Sequence, residues 1–140
     1  MRVVLDTNVL ISATLWDGSV AQKLLYKLIK SNVKIFSSVE ILAEYQKVLH
    51  RDFEYSEEDI IYILERVVSF VNLVKTEEKI DVVKNDPSDN KIIECAVTSK
   101  SNLIVTYDKH LLGIGKFRDI EIIKPEELIN RLSDPNSTKS

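Results

Sequence analysis

The chain is poor in the residues that build most small-molecule and metal chemistry. It has one cysteine and two histidines. A lone cysteine excludes an intrachain disulfide framework and a cysteine-based zinc site. His50 and His110 lie far apart and form no HxxxH pair, which speaks against a histidine-based zinc site. Cys95 sits in the apolar run Ile92-Ile93-Glu94-Cys95-Ala96-Val97 and reads as a buried structural thiol. No apolar stretch approaches the roughly 20 residues that span a bilayer. The N-terminal MRVVLDTN is too short in apolar residues for a secretory leader, so a cytoplasmic location is expected. Glycine-rich phosphate loops and dinucleotide motifs are missing, which leaves nucleotide-dependent chemistry without support. Only three glycines occur, as suits a helix-rich chain with few tight turns. An excess of positive charge is also missing. Lys and Arg number 19 against 22 Asp and Glu, with a net charge of −3. That argues against adhesion to nucleic acid through a basic surface, though not against a grip on a few phosphates through metal ions.

What is present is an ordinary globular composition, 44% hydrophobic and 29% charged. A chain of 140 residues buries about two-thirds of its unfolded surface and needs no staple. One domain over residues 1–132 is expected, followed by a polar tail, Ser133 to Ser140, that frays. Val3-Val4-Leu5 suits a short buried strand. Further strands are predicted at Val33 to Phe36, Val71 to Val74, Leu103 to Val105 and Ile120 to Ile123. Helices are predicted from Thr7 to about Leu15 and from Ser19 to about Ser31. A capping-box pattern, Ser37-x-x-Glu40, opens a third to about His50. Ser56-x-x-Asp59 opens a fourth to about Phe70. Asp86-Pro87 opens a fifth to about Lys100, and Pro125 a last one to about Leu132. Strands alternating with helices predict an α/β fold with a central, mainly parallel sheet and helices on both faces. Ligands of such sheets bind outside the carboxyl ends of the strands.

Acids gather where that rule places a site. Asp6 directly follows the first strand, and Asp108 comes three residues after Leu103-Ile104-Val105. Each also suits a local structural job, as a helix cap or a turn residue. Glu44 falls on the flank of the apolar face formed by Ile41, Leu42, Tyr45, Val48 and Leu49. Asp89 precedes Ile92, Ile93 and Ala96 at the end of a buried stripe, so its carboxylate is expected at the sheet edge. Asp86 makes a good N-cap before Pro87 and need not face inward.

Four converging carboxylates repel one another. A pair about 4 Å apart costs ~4 kcal/mol at an effective dielectric of 20. Such a set persists only with protons or a cation present. All-oxygen donors suit a hard ion, Mg²⁺ or Mn²⁺. That chemistry needs neither the histidines nor the thiol that the chain lacks.

Several stretches now resemble one family. Leu5-Asp6-Thr7-Asn8-Val9-Leu10-Ile11-Ser12-Ala13 is similar to the opening motif of PIN domains. Leu15-Trp16-Asp17-Gly18, Ser38-Val39-Glu40-Ile41-Leu42-Ala43-Glu44, Asp86-Pro87-Ser88-Asp89-Asn90-Lys91 and Leu103 to Leu112 follow in the family's order and spacing. The similarity runs from Arg2 to about Leu132 and is nearest to the toxin component (VapC-like) of toxin–antitoxin systems. It implies a three-layer α/β/α fold and divalent-metal-dependent hydrolysis of single-stranded RNA. It also implies a homodimer and a small antitoxin partner. Position by position, the family's acids fall on Asp6, Glu44, Asp89 and Asp108, and its polar supports on Thr7, Asn8 and Thr106. Asp86 would add metal binding through water.

Lys91 and Lys109 would contact substrate phosphate. Trp16 and Tyr107 suit either base stacking or the core. Two other readings of the same family are an RNA-processing nuclease without a toxin role and a non-catalytic scaffold for RNA or protein. A phosphatase or receiver built on Asp6 fits less well, because Asn8 stands where the phosphatase needs a second Asp and only one acid follows the first strand.

Overall fold

The structure is a computed structural model that describes residues 1–82 and 89–133. Six strands form one sheet: β1 (Arg2–Leu5), β2 (Lys34–Ser38), β3 (Val71–Val74), β4 (Leu103–Val105), β5 (Lys116–Phe117) and β6 (Ile120–Ile123). Their order is β3-β2-β1-β4-β6-β5, and every pairing is parallel except β5 with β6. Among the described residues, seven helices flank the sheet: α1 (Thr7–Leu15), α2 (Val20–Lys30), α3 (Val39–Phe53), α4 (Glu57–Val68), α5 (Asn90–Thr98), α6 (Lys109–Ile114) and α7 (Pro125–Ser133). The expected α/β architecture with a mainly parallel sheet is therefore present.

The central strands are short and almost wholly apolar because both faces are covered. Val3, Val4, Leu5, Leu103, Ile104 and Val105 are all buried. Each such side chain contributes about 1.5–3 kcal/mol of apolar transfer, which is why three or four residues suffice for a strand here. Helix α5 packs on β1, β2 and β4 through Ile92, Ile93 and Ala96, while α2 packs against α1 and α7. Cys95 is buried as expected, and burial pushes its thiol up to about 12.

Strands β3, β4 and β6 coincide with the predicted runs. Other details differ. The cap of α3 is Ser38, whose hydroxyl accepts from the Ile41 N–H at 3.1 Å, not Ser37. Ser37 instead lies within β2, which runs to Ser38, two residues further than its apolar run suggests. Glu40 consequently falls in the first turn and accepts from Thr76 Oγ1 at 3.1 Å rather than closing a capping box. Helix α3 continues past His50 to Phe53 and stops where Glu54 turns left-handed, at φ 55°. Helix α4 ends two residues before Phe70, because Phe70 leads directly into β3. The two-residue strand β5 had no apolar run to announce it, and its turn to β6 contains no glycine. Ser133 closes α7, and the rest of the predicted tail lies outside the described residues, as do Asp86 and Pro87.

Candidate active site

Strands β1 and β4 are neighbours, yet their chain connections leave in opposite directions across the sheet. That is the switch point where an α/β sheet opens a crevice. Asp6 stands at its floor. Its N–H continues the ladder to Val105 O at 3.0 Å, and its carbonyl accepts from Leu10 N at 2.9 Å to begin α1. The backbone is thus fixed on both sides. The carboxylate is fixed as well: Oδ1 accepts from Thr7 N at 2.7 Å and Oδ2 from Thr106 Oγ1 at 2.6 Å. Asp6 is only 6% exposed. Burial pushes its carboxyl up to about 6, against the two hydrogen bonds, and the charges of Asp108 and Glu44 push it further the same way.

Thr106 ties the two strand ends together. It is fully buried, its N–H is held by Ile123 O, and its hydroxyl donates to Asp6 while accepting from the Asp108 N–H at 2.9 Å. Asp108 caps α6. Its Oδ1 accepts from His110 N at 2.8 Å and Leu111 N at 3.1 Å, which leaves Oδ2 outside the cap. The local job and the site position therefore coexist in one side chain.

Glu44 arrives on α3. That helix is locked to α1 by Tyr45, the largest buried side chain, whose hydroxyl meets Thr14 Oγ1 at 2.6 Å. One residue earlier, Glu44 is half-buried and receives a long contact from Thr7 Oγ1 at 3.4 Å. Asp89 is buried at the N-cap of α5, the end that faces the carboxyl edge of the strands. Its backbone there is already helical. Just beyond, Glu94 is also buried and accepts from Ile80 N at 2.9 Å, pinning the segment that leads toward the site.

The structure thus brings Asp6, Asp108 and Glu44 into one another's field and sets Asp89 at the same sheet edge. Thr7 and Thr106 touch the acids. Asn8 is exposed and lines a groove with Trp16 and Tyr107. Among the described residues, no three carboxylate, imidazole or thiol side chains stand close enough to ligate an ion as they are placed. The donor chemistry nevertheless fits a hard divalent cation. A buried carboxylate that resists ionisation beside two other acids is what such a charge would relieve.

Positive charge lies beside this cluster. A groove of about 380 Å³ is lined by Glu44 together with Lys47, Arg51 and Lys91. Lys91 was expected from the sequence. Lys47 and Arg51 were not, because cations on the outer face of a helix ordinarily read as solvated surface. Their spacing of three and seven residues from Glu44 was the available signal. Lys109 is exposed beside Asp108 and does not line that groove.

A carboxylate cluster at the switch point of a parallel α/β sheet defines a class of site, and comparison with known proteins supplies the family. Residues 2–110 match the PIN domain family. The protein MJ1680 of Methanocaldococcus jannaschii, itself uncharacterised, is 31% identical over 118 residues, covering 81% of this chain and 75% of that one. Two solved structures share the fold. VapBC-1 from nontypeable Haemophilus influenzae matches with a TM-score of 0.65 at 19% identity, over 90% of this chain and 99% of that one. VapBC2 from Rickettsia felis, bound to a DNA fragment from its promoter, matches with a TM-score of 0.63 at 17% identity, over 87% and 97%. The chain belongs to the PIN-domain family, whose members are generally nucleases. No helix among the described residues is long and apolar enough to cross a membrane.

Proposed function

We propose that this protein is a divalent-metal-dependent ribonuclease that hydrolyses phosphodiester bonds of single-stranded RNA. The observation that carries the reading is Asp6: a carboxylate buried at the sheet's switch point, hydrogen-bonded on both oxygens, with Asp108 and Glu44 acting on it. Burying an acid beside two others costs stability, and a neutral Ser or Asn could cap α1 without that cost. Asp6, Asp89 and Asp108 would hold Mg²⁺ or Mn²⁺, with Glu44 as ligand or as the base that orients water. Such an ion supplies charge stabilisation at a phosphate and lowers the proton affinity of water. The protein's own part is positional. Thr106 fixes Asp6 and the backbone at Asp108 with one hydroxyl, Thr7 fixes Asp6 and steadies Glu44, and Lys91, Lys47 and Arg51 attract the phosphate backbone.

The toxin role is a narrower proposal, supported by the sequence resemblance and by the fold shared with the VapBC structures. In that role the protein acts in the cytoplasm, forms a homodimer and is blocked by a small antitoxin protein.

The test is cleavage of a fluorescent single-stranded RNA by purified protein with Mn²⁺ added after chelation. Cleavage that requires the metal and disappears in Asp6→Asn and Asp108→Asn is the expected result. Failure of the wild type to cut, together with equal Mn²⁺ binding by wild type and Asp6→Asn, would refute the nuclease reading. Growth arrest on expression, relieved by Asp89→Asn, is expected of a toxin; normal growth with active enzyme would indicate RNA processing without a toxin role.

A further inference from the structure

We propose that the groove formed by Trp16, Phe53, Tyr107 and Asn8 is a stacking subsite for an unpaired nucleobase. The RNA backbone would run on the opposite side of Val48, along Lys47, Arg51 and Lys91. The proposal rests on the nuclease reading and extends it to how the substrate is recognised.

The sequence left Trp16 and Tyr107 open between core and surface, and the structure places neither in the core. Trp16 is 54% exposed and Tyr107 43% exposed. Exposed aromatic rings that serve no contact are free to move, but these two are braced. The Tyr107 hydroxyl donates to Glu126 on α7 at 2.5 Å. The Trp16 ring meets Phe53 edge-on, with centroids 6.4 Å apart and planes at 62°. Phe53 is in turn backed by Tyr55 at 6.4 Å. Rigid aromatic faces held open to solvent bind flat rings at little entropic cost.

Their position relates them to the acids. Tyr107 lies in the chain between Thr106, which holds Asp6, and Asp108. Asn8, two residues past Asp6, lines the same groove of about 300 Å³. Val48 lines both this groove and the basic one, so the two adjoin along α3. Their chemistry differs. The basic groove carries Lys47, Arg51 and Lys91, whereas the aromatic groove has no cation and contains Asp52. A carboxylate there disfavours phosphate and accepts from the N–H edge of a base. Asp52 is paired with Arg51 at 2.7 Å, so the two grooves meet at one ion pair. A single strand presents phosphates on one side and unstacked bases on the other; a duplex keeps its bases inside and offers nothing to the aromatic side.

Trp16 is the only tryptophan, so its fluorescence reads the groove directly. The experiment titrates wild-type protein, in chelator at low salt, with a short oligoadenylate. The comparison ligands are the same ribose-phosphate chain without bases and an adenylate–uridylate duplex. Binding is followed in parallel by anisotropy. We expect saturable quenching by the oligoadenylate alone. Tyr107→Leu and Trp16→Leu should weaken its binding by about five- to a hundredfold, the range for losing one stacked base, and Tyr107→Phe, which keeps the ring but loses the Glu126 brace, should weaken it less. With Mn²⁺, the two leucine variants should show KM raised by a similar factor with kcat little changed. Equal binding of the baseless chain, binding without quenching, or no binding would overturn the subsite. So would Trp16 emission that changes with protein concentration alone, which would make this face a contact between copies. Quenching without any cleavage in Mn²⁺ would support the subsite and count against the nuclease reading instead.

Discussion

Replacing Asp6 with asparagine should make the metal-free protein more stable at neutral pH while abolishing its activity. The folded chain holds the Asp6 proton up to about pH 6, whereas an unfolded chain releases it near 3.8. Between those values the folded state binds more protons, so stability falls as pH rises through the window. Above it, at about 1.36 kcal/mol per pH unit, the ionised carboxylate costs about 3 kcal/mol. Asparagine removes that cost. It keeps the acceptor for Thr7 N but presents an amide to Thr106, a loss of about 1 kcal/mol. The net gain is about 2 kcal/mol, or roughly 4–8 °C in Tm for a chain of this size. The assay is thermal unfolding by circular dichroism in chelator, from pH 4 to 8, for both proteins. The difference between the two curves isolates Asp6 from every other titrating group. We expect the wild type to be the more stable below pH 4 and the less stable at pH 7.5, with a crossing in between. Added Mn²⁺ at a hundredfold over its dissociation constant should restore about 2.7 kcal/mol to the wild type and less to the variant. A difference that stays constant from pH 4 to 7.5 would show that the buried charge is not what sets Asp6 apart.

Thr106→Val removes the donor to Asp6 and the acceptor of the Asp108 N–H at once, so it should cost about 1–3 kcal/mol and most of the activity, read by urea unfolding and RNA cleavage. Lys47→Ala and Lys91→Ala should each reduce the salt dependence of single-stranded RNA binding, lowering the slope of log K against log salt by about 0.7 per lost phosphate contact; an unchanged slope would remove those residues from the backbone path. Ser38→Ala should cost about 1 kcal/mol, because it uncaps the helix that carries Glu44, and Ser37→Ala should not remove a cap; denaturant midpoints distinguish the two.

The strands that the sequence displays best are those buried on both faces. Leu103-Ile104-Val105 is an uninterrupted apolar run, and Ile120 to Ile123 is broken only by Glu121, the one residue of that strand that is not buried. Where a strand ends in small polar residues the pattern stops early: Ser37 and Ser38 are fully buried, and two adjacent serines offer two equally plausible caps. The acids at the ends of β1 and β4 were legible because strand ends have a fixed meaning in a parallel sheet. Asp89 was harder, since its exact place in the first turn depends on where the helix begins. Lys47 and Arg51 were not legible because their importance comes from what Glu44 does, which is a tertiary fact. Trp16 was misjudged as equally suited to the core because composition ranks tryptophan by size and apolarity, whereas its exposure follows from Phe53 occupying the interior side of that contact.

The hydroxyl of Thr106 reaches back across 100 residues to Asp6. Contacts of such separation form late, after shorter loops have closed. Strand β1 meets β2 early in the chain, but its other flank stays open until β4 has been made. A growing chain therefore carries Asp6 from its first residues without the partner that orients it. The grouping of Asp6 with Thr106 and Asp108 therefore comes into being only once β4 has docked beside β1, late in the chain.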